Sequence, residues 1–280
     1  MITTDDGLRL HTHHWPASTP GNPPGSARGQ VLIVHGLGEH GARYVPVAQA
    51  INAAGWHVHG WDHRGHGRSD GPRGDIPDHD ALLRDTARVI DAVRTPGSRF
   101  VLLGHSLGGA IAARFAAESL LAAPAPWQRP LDGLVLSSPA LDAGLSSAQK
   151  LALAMAEKLT PGLAVGNGLK PAWICRDAAV VAAYTADPLV HDRITARLTR
   201  FILDAGARVI ADAPRWQVPT LLMWAGADRC VAPRGSEAFA AAAPANVVAT
   251  RPWPELFHEL FNEPERAEVL AVLTAWLGRR

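Results

Sequence analysis

The 280-residue chain reads as an α/β domain, a mostly parallel sheet flanked by helices and carrying a helical insertion. Three observations carry that reading. Short apolar runs that end at glycine-rich or acidic turns recur along the chain. Between them lie segments with apolar residues three and four apart. The strand rhythm then stops between residues 141 and 213 and resumes. Strands that alternate with helices imply a parallel sheet covered on both faces.

In chain order, Leu8-Arg9-Leu10-His11-Thr12-His13-His14 alternates like a half-exposed strand. Pro16 to Gly29 is a Pro/Gly/Ser-rich loop. Gln30 to Val34 is a buried strand, and Tyr44, Val47, Ala48 and Ile51 mark a helical face. Trp56 to Trp61 is a strand. Leu82, Leu83, Thr86, Val89, Ile90 and Val93 repeat at helical spacing. Phe100 to Leu103 is a strand, Ser106 to Leu121 an Ala-rich helix, and Leu134 to Leu136 a strand. Within the interruption, helices are expected over Ser146 to Leu159 and His191 to Asp212, with a Pro/Gly-rich piece, Pro161 to Pro171, between them and no strand. Strands return at Thr220 to Trp224 and Asn246 to Thr250. A closing helix begins near Pro264, a residue suited to a first helical turn. The expected division is a core of residues 1–140 and 214–280 and a helical cap of residues 141–213.

Charged residues are 19%, and Lys plus Arg total 27 against 26 Asp plus Glu. With 47% hydrophobic residues beside it, that balance excludes a disordered chain, and it argues against nucleic acid as a partner. Cys175 and Cys230 cannot build a disulfide framework and form no CxxC pair. Met1 to Asp6 lacks the apolar core of a secretory signal, and no stretch reads as a spanning helix. The expectation is a soluble, reduced, cytoplasmic protein.

Gly104-His105-Ser106-Leu107-Gly108 is a G-x-S-x-G sequence set between a strand and a helix. A serine on so sharp a turn has strained dihedrals, and flanking glycines give it room. Its hydroxyl needs a base to take the proton and a third group to orient that base. In α/β-hydrolases the acid and then the histidine follow the serine along the chain. Asp228 lies just past the strand Leu221 to Trp224, and His258 lies in the loop before the last helix. Glu255 and Glu259 rank behind Asp228 as acids because they are too close in sequence to His258. His191, the other histidine after Ser106, reads as a capping or surface residue. Acyl transfer also requires two backbone N–H groups for the oxyanion. Leu107 follows the nucleophile, and Leu37 lies in His35-Gly36-Leu37-Gly38 after a buried strand.

Together with His35-Gly36-Leu37-Gly38-Glu39-His40, Asp62-His63-Arg64-Gly65-His66-Gly67-Arg68-Ser69 and the placing of Asp228 and His258, the elbow resembles the monoacylglycerol lipase and lysophospholipase-like α/β-hydrolases. The resemblance spans nearly the whole chain and is weakest in the insertion. It implies a cap over the site, a Ser106-His258-Asp228 triad, and hydrolysis of a small-molecule acyl ester, above all monoacylglycerols, with no cofactor and no metal. It also matches Arg43, Tyr44 and the stretch Tyr184, Asp187, Pro188, Leu189. By that likeness Glu39, Arg43 and Tyr184 surround a glycerol head group. The plainer reading makes Glu39 and Arg43 a structural ion pair and Tyr184 a packed tyrosine. In the cap, Leu151, Leu153, Ala154, Met155 and Leu159, then Leu163, Val165 and Leu169, suit an acyl-chain lip, a transient membrane contact or packing onto the core.

Three rivals remain at this level. His57-Val58-His59-Gly60-Trp61-Asp62-His63 is one residue out of register with a metallo-hydrolase ligand set. The His11, His13, His14 cluster reads as an exposed strand face. A binding protein on this fold would have no use for an intact Ser, Asp and His. Transfer of the acyl group to an alcohol instead of water uses the same triad, so competing alcohols are the discriminating probe.

Overall fold

The computed structural model describes residues 1–17 and 27–280. Residues 18–26 of the expected Pro16 to Gly29 loop lie outside them. Strands β1 (Ile2–Thr3) and β2 (Arg9–Leu10) pair as a short antiparallel ribbon. There follow β3 (Thr12–Trp15), β4 (Gly29–Val34), α1 (Val45–Ala53), β5 (Trp56–Trp61), α2 (Ala81–Val93), β6 (Phe100–His105), α3 (Leu107–Ala117) and β7 (Gly133–Ser137). Next come α4 (Ser147–Leu159), β8 (Val165–Gly166), α5 (Ala178–Ala186), β9 (Arg193–Ile194) and α6 (Ala196–Asp212). The chain closes with β10 (Thr220–Ala225), α7 (Pro233–Ala242), β11 (Val248–Trp253) and α8 (Arg266–Leu277).

The main sheet has the order β11-β10-β7-β6-β4-β5-β3, parallel throughout except for the β3/β5 pair. Its central strands are buried along their whole length, as a sheet covered on both faces requires. Successive side chains alternate between two cores. Leu32, Val34, Leu102, Leu134 and Leu136 pack with α2, α3 and α6. Val31, Ile33, Val101, Leu103 and Val135 pack with α1 and α8. This is the mostly parallel α/β sheet, covered on both faces, that the strand and helix rhythm foretells.

The interrupted region holds more structure than expected. Val165–Gly166 pairs antiparallel with Arg193–Ile194, so the region does contain strands. The helix expected from His191 starts instead at Ala196, where the Thr195 hydroxyl accepts a hydrogen bond from the Leu198 N–H. Helix α5 is new. Its sequence is apolar on every side, so it has no periodic stripe, and its one clear signal is the capping Asp177. Helix α7 likewise lacks a stripe, with Phe239 its only deeply buried large apolar side chain. Helix α6 lays Leu198, Phe201, Ile202, Ala205 and Val209 into the core shared with α3, whereas residues 167–192 reach over the carboxyl ends of the strands.

Candidate active site

The turn from β6 to α3 places Ser106 at φ 54°, ψ −120°, a left-handed conformation that a side chain rarely adopts. Close backbone approaches explain the glycines around it. A Cβ at Gly104 would stand 2.3 Å from the Gly108 carbonyl, and one at Gly108 would stand 2.0 Å from the Val34 carbonyl. The turn is held by Ser106 N–H to Ser137 O at 3.1 Å and by the Ser106 carbonyl, which accepts from the N–H groups of Ala110 and Ala140. The Leu107 N–H opens a helix, where it has no intrahelical partner.

A cavity of about 400 Å³ lies over this turn. Ser106, His258, Leu37, Glu39 and Tyr184 all line it, together with His105, His191 and Cys230. At its floor, His258 Nδ1–H donates to Asp228 Oδ2 at 2.7 Å, and both side chains are almost fully buried. The other Asp228 oxygen accepts from the N–H groups of Cys230 and Val231, at 2.8 and 3.1 Å. Burial opposes its charge, but His258 and these donors outweigh burial and hold its pKa below the usual carboxylate range. For His258, burial disfavours the charged ring, yet Asp228, Glu259 and Glu39 overcome it and push the pKa up. Seven other histidines shift, and all seven move down, burial being the largest cause each time. Among the histidines that shift, His258 alone moves toward proton uptake, and it faces the cavity that holds the strained serine.

The loop after β4 abuts the serine: a Cβ at Gly36 would lie 3.2 Å from Ser106 Cβ. Glu39 holds this loop. One of its oxygens accepts from Gly36 N–H at 2.6 Å and from Tyr44 O–H at 2.7 Å, and the other from Arg43 at 2.5 Å. Arg43 also makes two bonds of 2.7 Å to Glu259, and its guanidinium lies 4.8 Å from the Tyr184 ring centre. Glu259, a rival acid by sequence, is thereby engaged by Arg43, and Glu255 is exposed. Arg43 does not line the main cavity but stands behind Glu39 and Tyr184.

Two histidine readings change. His191 is neither cap nor surface: it lines the cavity, its N–H donates to Gly38 O at 2.9 Å, and its ring lies 4.6 Å from that of His66. His13 is half-buried and donates to Asp62 at 2.8 Å, so it braces the turn after β5 instead of facing water. His57, His59 and His63 have separate partners, Ala17 N–H, Gln30 and His35. By sequence Cys230 reads only as a thiol outside any CxxC pair, and its place two residues after Asp228 is all that ties it to the site.

Residues 25–265 match the Hydrolase_4 family model, described as "Serine aminopeptidase, S33". The chain is similar to the monoacylglycerol lipase of Mycolicibacterium smegmatis, 34% identical over 97% of this chain and 93% of that protein. It is 30% identical to the monoglyceride lipase of Homo sapiens, over 100% of this chain and 90% of that one. Among solved structures, the Paleococcus ferrophilus monoacylglycerol lipase superposes with a TM-score of 0.84 at 31% identity, covering 97% and 99% of the two chains.

Proposed function

The chain belongs to the Hydrolase_4 family of serine hydrolases, among its monoacylglycerol lipase-like members, and from that premise we propose that it hydrolyses monoacylglycerols and similar single-chain acyl esters through a covalent acyl-enzyme. The observation that carries the reading is the buried His258–Asp228 pair facing one cavity with the strained Ser106. Ser106 Oγ attacks the ester carbonyl and His258 takes its proton. The N–H groups of Leu37 and Leu107 receive the oxyanion, and His258 returns the proton to the departing alcohol. Asp228 fixes the ring with Nδ1 protonated, leaving Nε2 free to accept. Water then repeats the sequence on the acyl-enzyme. A panel of monoacylglycerols, lysophospholipids and short p-nitrophenyl esters tests it, and a higher kcat/KM on lysophospholipids than on monoacylglycerols would overturn the substrate assignment.

The base must be neutral to act, so activity falls as pH drops through its pKa. Because Asp228 and the nearby carboxylates raise that pKa against burial, the acid limb of kcat/KM is expected above the ordinary imidazole value of about 6.5. A limb below that value would mean that the ring is not held as the charges around it require.

Head-group recognition is expected to rest on Tyr184 more than on Glu39 or Arg43, whose polar atoms are engaged with each other, Gly36, Tyr44 and Glu259. Losing one hydrogen bond costs about 0.5–1.5 kcal/mol, or roughly 2- to 13-fold. Tyr184→Phe should lose that much kcat/KM on monoacylglycerol and almost nothing on the p-nitrophenyl ester of the same acid. Arg43→Met should depress both together, since it leaves Glu39, which holds the oxyanion loop through Gly36 N–H, buried without its counter-ion. Equal losses on both esters for Tyr184→Phe would remove it from head-group binding.

The reading extends to a lipid surface. No helix among the described residues is long and apolar enough to cross a membrane. Among the described residues, six of the eight large exposed apolar side chains are Leu151, Met155, Leu159, Leu163, Val165 and Leu169, and Leu169 also lines the cavity. The chain's three lysines, Lys150, Lys158 and Lys170, flank this patch and are all exposed. Apolar side chains rimmed by lysine suit an anionic bilayer, where each lysine contributes about 1 kcal/mol. Sedimentation with anionic vesicles should fall sharply for Leu151→Ser, Met155→Ser and Leu159→Ser combined, with p-nitrophenyl ester hydrolysis in solution retained.

A further inference from the structure

Asp228, Cys230 and His258 each present a ligand atom, all within 4.8 Å of one another. We propose that this trio binds one thiophilic divalent cation, of the zinc or cadmium class, and that occupancy switches the esterase off. The donor set is imidazole, thiolate and carboxylate, the types that zinc takes in sites with three protein ligands and an open fourth position. Ligand atoms around a tetrahedral zinc stand roughly 3.5 Å apart, given bonds of 2.0–2.3 Å, so the trio needs only small shifts. The fourth position would face the cavity that Cys230 and His258 line, where water can fill it.

Local backbone geometry already draws the trio together. Asp228 accepts from Cys230 N–H at 2.8 Å, which folds the two-residue step back on itself. Cys230 packs beside Ile174 and Cys175, with Tyr184 against the same small cluster. No catalytic step assigned above uses this thiol. On binding at Nδ1, the cation displaces the ring proton that His258 shares with Asp228 to Nε2, so the imidazole stays neutral. The Cys230 thiol gives up its proton to solvent, and Asp228 enters as the carboxylate it already is. Nothing is oxidised or reduced. The ring is then drawn away from Asp228 and held by the metal, so it can neither be oriented for Ser106 nor take up its proton.

The effect on turnover rests on the reading of His258 as base; binding itself does not. The test titrates cadmium into the intact protein while recording the ultraviolet thiolate-to-cadmium charge-transfer band and ester hydrolysis. Band and inhibition should saturate together at one ion per chain, and a chelator should reverse both. Cys230→Ala, and Cys230→Ser as a second variant should the first fail to fold, should lose the band and need roughly tenfold or more cadmium for half-inhibition of their own starting rate. Cys175→Ala should keep both responses. Inhibition of both Cys230 variants at the parent concentration, absence of the band from the parent, or a band that follows Cys175 would each overturn the site. A parent protein that shows the band but hydrolyses no ester at all would leave the site standing and overturn the functional reading instead.

Discussion

Ser106→Ala is expected to fold like the parent and to lose nearly all turnover. The hydroxyl is the nucleophile, so its removal abolishes the acyl-enzyme and leaves only what the oxyanion donors and binding supply, about 10³–10⁴-fold over water. In a comparable triad the loss in kcat is on the order of 10⁶-fold. Folding should survive because the turn is held by backbone groups, Ser106 N–H to Ser137 O and Ser106 O to the N–H groups of Ala110 and Ala140. None of these involves the hydroxyl, and alanine is no less tolerant than serine of the φ of 54°. Labelling by a fluorophosphonate probe, read beside a thermal melt, checks both halves. Retained labelling and turnover in a folded variant would move the nucleophile elsewhere, with Ser138, the other non-glycine residue at positive φ among the described residues, examined first.

The parts of this site that were legible in the sequence are those whose chemistry dictates a local pattern. Gly104 and Gly108 are required because backbone passes within 2.3 Å of where their side chains would start, so the elbow leaves a mark in consecutive residues. Asp228 was legible because acids that serve such a sheet follow a strand's carboxyl end, and here Asp228 follows β10. The support beneath the site leaves no such mark. Arg43 meets Glu259 across 216 residues of chain, and only the folded sheet shows that a presumed rival acid is bound to an arginine. His191 was misread for the same reason. The helical spacing of Ile194, Leu198 and Ile202 extended the helix backward over residues that instead form β9 and fasten Gly38. Helix α5 had neither stripe nor contrast, because a segment apolar on every side carries no phase.

Asp228→Asn is expected to lower kcat by about 10⁴-fold near neutral pH, the loss found when the orienting aspartate of such a triad becomes its amide. The cause is the tautomer. In the parent, the carboxylate accepts from His258 Nδ1–H at 2.7 Å, which leaves Nε2 bare to take the serine proton. An asparagine keeps one oxygen for the N–H groups of Cys230 and Val231, at 2.8 and 3.1 Å. That oxygen is thereby fixed in place, and the amide NH₂ is turned toward the ring. The NH₂ donates to Nδ1, so the ring's own proton moves to Nε2 and points at Ser106, where a lone pair is needed. The same change removes the charge that does most to raise the His258 pKa, so the acid limb of the remaining activity should move down in pH. A purely structural role for Asp228 would lower turnover without moving that limb. Near-normal turnover with an unmoved limb would show that another carboxylate orients the ring. Glu259 is committed to Arg43 and Asn262, and Glu255 is exposed to solvent, so neither is placed to inherit the task without rebuilding the loop that carries His258.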